Sequence, residues 1–102
     1  MALRVDPIDS RPLFRPLALE FGALLARLDT DDWTRPTLAP AWRVRDVVAH
    51  LIDTMLRRVS VQRDGYQPPR PATALTTEAE FVAFINALNA GWVTASQRLS
   101  PA

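Results

Sequence analysis

Apolar positions recur along this chain at helical spacing in three separate stretches. Phe14, Leu17, Phe21, Leu24, Leu25 and Leu28 follow the three-and-four rhythm of one helical face and predict a helix over about 11–29. Ser10 stands ready to cap it, with Pro12 or Pro16 in the first turn, where a missing N–H costs little. Val44, Val47, Val48, Leu51, Ile52, Met55 and Val59 mark a second stripe, on a helix over about 43–64 that Gly65 terminates. Phe81, Phe84, Ile85, Leu88, Trp92, Ala95 and Leu99 mark a third, over about 77–99. Thr77 and Glu80 open it at the spacing of a capping box, in which each side chain accepts a backbone N–H of the other.

The intervening segments read as connectors. "DTDDWTRPTLAP" combines acids, threonines and two prolines in a loop that carries Trp33, and "GYQPPRPATAL" holds three prolines in eleven residues, too many for a helix. Alternating strand patterns and internal repeats are missing. The expectation is a single all-α domain over 1–102, an antiparallel helical bundle, since amphipathic helices bury their stripes against one another. Ser100 before Pro101 has the look of one more helix start, so a further helix is expected to follow.

Composition narrows the functional classes. The chain has 102 residues, of which 48% are hydrophobic and 23% charged, as expected of a folded domain of ordinary size. Its formal net charge is +1, and the arginines run from Arg4 to Arg98 without clustering, which argues against a nucleic-acid surface. No cysteine is present, which removes disulfides, thiolate metal sites and a cysteine nucleophile within the chain. Charged residues interrupt every apolar run, and the N-terminus lacks the apolar middle of a signal peptide. The expectation is a cytoplasmic protein with no membrane partner.

The one histidine, His50, falls roughly 130° from the centre of the second helix's apolar stripe. Asp46 and Asp53 lie four residues before it and three after, so both carboxylates share its surface together with Arg57. Two readings stand at this point. In one, the cluster is a solvated face of weak ion pairs. In the other, His50 is a metal ligand, with Asp46 or Asp53 accepting its second ring proton and fixing the tautomer.

Other residues carry paired readings too. Trp42, just before the second helix, either packs on its first turn or walls a site, and Trp33 has the same alternatives. Trp92 belongs to the third helix's apolar face and needs an acceptor for its indole N–H. Arg58 enters the second stripe, either reaching to the rim or clamping a substrate carboxylate. Asn86 and Asn89 are expected in solvent. Leu19, Val82 and Val93 fall off the main stripes and hint at a second contact surface.

Within "LDTDDWTRPTLAPAWRVRDVVAHLIDTMLRR" and "EFVAFINALNAGWVTASQRLSP", the order Trp33, Pro36, Trp42, Asp46 and "AHL" around His50 resembles the N-terminal part of the DinB-like metalloproteins. Among these it is similar in particular to the branch of the mycothiol-dependent maleylpyruvate isomerases. The resemblance implies a four-helix bundle holding a divalent metal, zinc or nickel, through a histidine on the second helix and a glutamate and a histidine on a later one. His50 matches the first ligand; no residue matches the other two. It further implies activation of a low-molecular-weight thiol by the metal for isomerisation or transfer. The competing expectation, from the stray apolar residues, is a non-catalytic interaction module that forms a homodimer through an open apolar groove.

Overall fold

The computed structural model describes residues 2–101, and every regular element among them is helical. The chain is organised as two compact units, one up to Asp32 and one from Trp33 onward, and each is described by itself.

In the first unit a 3₁₀ turn, Arg11–Leu13, runs directly into helix α1, Phe14–Ala26. Pro12 and Pro16 sit at its start as expected. The cap differs: the Ser10 side chain caps nothing, and its carbonyl accepts the Leu13 N–H at 3.0 Å. Asp9 does the capping instead. Its Oδ1 accepts the Arg11 N–H at 3.1 Å while both oxygens take the guanidinium at 2.8 and 2.9 Å, and that contact lowers the Asp9 carboxyl below its usual range. After α1, Asp29 and Asp32 each accept the other's backbone N–H, at 2.8 and 3.0 Å, which closes the turn.

The second unit is an antiparallel pair, α2, Val44–Arg58, and α3, Glu78–Ser96. The direction follows from the contacts, since residues at the start of α2 meet residues at the end of α3: Asp46 with Gln97, Ala49 with Trp92, Arg45 with Leu99. Helix α2 is followed without a break by a π-helical turn, Val59–Arg63, so the expected helix over about 43–64 exists, with its last turn widened. Tyr66 N–H then reaches back to the Ser60 carbonyl at 2.9 Å. Gly65 ends the segment with φ of +67°, a left-handed conformation that a Cβ disfavours.

Helix α3 starts as its capping box predicts. The Thr77 hydroxyl accepts the Glu80 N–H at 3.1 Å, and Glu80 Oε2 accepts the N–H groups of Thr76 and Thr77 at 2.8 and 3.3 Å. Those donors, with the Thr76 hydroxyl, hold the Glu80 carboxyl below its usual value.

The packing of the pair overturns one expectation. The most buried residues of α2 are Asp46 and Asp53, 8% and 6% exposed, whereas Ile52 and Met55, from the apolar stripe, are 48% and 55% exposed. On α3 the buried residues are Val93 and Ser96, and Asn89, expected in solvent, is half-buried. Val93, which falls off the apolar stripe of α3, is thus buried, at 8% exposed. The polar face of α2 therefore turns toward α3, and the reading of Asp46, His50 and Asp53 as a solvated surface does not hold. The physical reason is that each buried carboxylate has a dedicated donor, which removes most of the cost of taking it out of water. None of the described helices is long and apolar enough to cross a membrane.

Candidate functional site

The inward face of α2 is assembled from its first turn. Arg43 occupies the N-cap in extended backbone, and its N–H donates to Asp46 Oδ2 at 2.9 Å. The other oxygen, Oδ1, accepts Gln97 Nε2 at 2.7 Å from across the pair. Gln97 Nε2 also donates to the Val93 carbonyl at 3.1 Å. Asp46 thus caps its own helix and ties it to α3 at the same time, near the helix N-terminus where a carboxylate is favoured. Next to it, Arg45 spans the gap and donates to the carbonyls of Gln97 and Leu99 at 3.2 and 2.8 Å, occupying acceptors that the end of α3 leaves open.

One turn further, the indole N–H of the half-buried Trp92 donates to the Ala49 carbonyl at 2.7 Å, the acceptor that its polar edge requires. At the next turn Asp53 is held by Arg57, whose Nε donates to Oδ1 at 3.1 Å while its terminal nitrogen pairs with Oδ2. The second contact is an ion pair outside hydrogen-bond geometry, since Oδ2 has no hydrogen-bonding partner.

His50 lies between these two carboxylates and bonds to neither. Its Nδ1 is buried and has no hydrogen-bond partner among the described residues, a rare condition for a buried polar atom. Its ring rests against Trp42, centroid to centroid 5.0 Å with the planes at 44°, a common separation for aromatic pairs. Of the residues singled out from sequence, the structure brings Trp42 and His50 together and places Asp46 and Asp53 on the same inward face. Arg58 stands apart, exposed and about two turns along the helix. Arg45, Gln97 and Thr37, whose hydroxyl lies 2.8 Å from the Trp42 carbonyl, are participants that periodicity did not reveal.

A family model described as the mycothiol maleylpyruvate isomerase N-terminal domain matches residues 14–102. The chain belongs to this family. No curated protein and no solved structure matches it.

Family membership raises the question of a metal, and the donor set answers for this chain. Among the described residues no group of three or more His, Cys, Asp or Glu side chains is placed to hold an ion. Asp46 and Asp53 already have partners on both sides of the imidazole, and a stable zinc site takes three or four protein donors. The described residues do not make a complete site. Two shallow hollows lie elsewhere, one along α1 lined by Leu17, Phe21 and Leu24, the other on α3 lined by Glu78, Val82 and Asn86. Neither borders His50.

Proposed function

We propose that this chain is the helical N-terminal part of a thiol-linked isomerase or transferase domain and that it contributes one donor, His50, to a zinc or nickel site. The remaining donors lie outside the described residues. The observation that supports the reading is the buried Nδ1 of His50, which has no hydrogen-bonding partner, beneath Trp42. A low-molecular-weight thiol is the co-substrate, because the chain has no cysteine of its own and a divalent metal converts a bound thiol to the nucleophilic thiolate. The setting is the cytoplasm, where such thiols stay reduced.

Calorimetric titration of nickel and zinc into tag-free protein tests the proposal. A single donor binds weakly, so the expected result is a shallow but saturable isotherm that His50→Ala abolishes. Identical isotherms for the two proteins would remove His50 as a ligand.

A second reading rests on a different observation. Ile52, Met55 and Leu56 form an exposed apolar row on α2, larger than scattered surface residues require, and this favours a homodimerising module. Light scattering decides it. A dimer mass that Met55→Gln converts to monomer supports the module, and a monomer at every concentration contradicts it.

A further inference from the structure

We propose that Thr37 is a positioning residue for His50, acting through the indole of Trp42; the functional meaning of this rests on His50 being a ligand, as proposed above. The bridge between Pro36 and Arg43 and the bond from Val44 N–H to the Arg35 carbonyl, 3.0 Å, fix the two ends of a tight loop. Inside that loop the Thr37 hydroxyl accepts the Ala39 N–H at 3.1 Å and lies 2.8 Å from the Trp42 carbonyl and 3.2 Å from that of Ala39. A hydroxyl has one proton to give, and the shorter contact, to Trp42, is the better hydrogen bond. The Trp42 N–H in turn donates to the Ala39 carbonyl at 2.9 Å. Both backbone polar groups of Trp42 are therefore held, and only its two side-chain torsions remain free.

This matters because of what His50 lacks. An imidazole that coordinates a metal is ordinarily oriented by a hydrogen bond to its other nitrogen. Neither Asp46 nor Asp53 bonds to the ring, since their partners are Arg43, Gln97 and Arg57. Packing against the Trp42 indole at 5.0 Å takes over the orienting role, and the loop that aims the indole is closed by the Thr37 hydroxyl. Thr37 is half-buried, so its bond to Trp42 is sheltered from exchange with water.

His50 is the only histidine, which gives the test a clean signal: the carbon-bound imidazole protons, followed by NMR in metal-free protein. In the wild type these resonances are displaced by the indole ring current, and Trp42→Leu defines the undisplaced position. Thr37→Val, which keeps the shape and deletes the hydroxyl, is expected to move them toward that position while the remaining spectrum stays dispersed. Thr37→Ser is expected to restore the displacement, and roughly tenfold weaker nickel affinity should accompany the Val variant alone. Resonances unmoved in folded Thr37→Val would overturn the proposal, as would no difference between wild type and Trp42→Leu. If the Val variant does not fold, wild type and Thr37→Ser decide: a Trp42-to-His50 Overhauser contact in both supports it, and its absence from either refutes it. Because this readout needs no metal, failure of metal binding with the ring-current pattern intact would sink only the ligand role of His50.

Discussion

Asp46 and Gln97 meet across the helical pair, Nε2 to Oδ1 at 2.7 Å, and the same carboxylate accepts the N-cap N–H of its own helix at 2.9 Å. One side chain thus sets where α2 begins and where α3 ends. Asp46→Ala is predicted to cost about 1–3 kcal/mol, because it strands two donors at once, and Gln97→Ala about 1 kcal/mol. A double-mutant cycle by urea denaturation should return a coupling of roughly 0.5–3 kcal/mol. Strict additivity would mean that the contact is not made in solution.

The Asp53–Arg57 pair makes a different prediction, because its acid is buried and its base is half-exposed. Arg57→Met should destabilise by roughly 1–3 kcal/mol by leaving a buried carboxylate without its counter-charge. Replacing both residues with apolar ones of similar size should recover much of that loss. Chemical denaturation of the single and double variants checks the order; a double variant less stable than Arg57→Met contradicts it.

Acid titration isolates the start of α3. The Glu80 carboxyl is held below its ordinary value of 4.5, first by the Thr76 and Thr77 N–H groups. A carboxyl depressed in the folded state contributes stability that is fully present above the unfolded value and is lost as pH falls through the folded one. Glu80→Gln should therefore flatten the stability profile below about pH 4.5 and change its slope little near neutrality. Thr77→Ala should cost about 1 kcal/mol at neutral pH. Parallel acid limbs for wild type and Glu80→Gln would contradict the capping role of the carboxylate.

Gly65 tests the exit from the π-helical turn. Nothing lies within 4 Å of the position a Cβ would take there, so the penalty for a side chain comes from the backbone alone. Gly65→Ala should cost about 1 kcal/mol, and Gly65→Asn less, since asparagine tolerates the left-handed region. Equal stability of all three proteins would contradict the positive φ.

Which parts of this fold the sequence discloses depends on how local the cause is. The α3 capping box and the Gly65 stop are set by residues a few positions apart, and both stand in the structure; the acceptor that Trp92 needs is also there, supplied by Ala49 from 43 positions away. The orientation of α2 is not local. Periodicity counts apolar residues and assigns their stripe to the interior, but the inward face is decided by whether each carboxylate finds a donor. Asp46 finds its donors at Arg43 and, 51 positions away, at Gln97. Val93 reads as a stray residue for the same reason, because its contact face is fixed by the rotation of α2. At the candidate site, spacing discloses His50 and Trp42. Thr37 escapes notice, because one threonine in a proline-containing loop carries no periodic signal.

The measurement that bears most directly on the whole account is which side chains of α2 touch Trp92, read from Overhauser contacts in solution. The structure requires the Trp92 indole beside Ala49, to whose carbonyl it donates at 2.7 Å. Cross-peaks from the indole to Ala49, with none to Leu51 or Met55, are the predicted result. Cross-peaks to Leu51 and Met55 instead would mean that the apolar stripe faces α3, and that His50 stands in solvent rather than on the inward face.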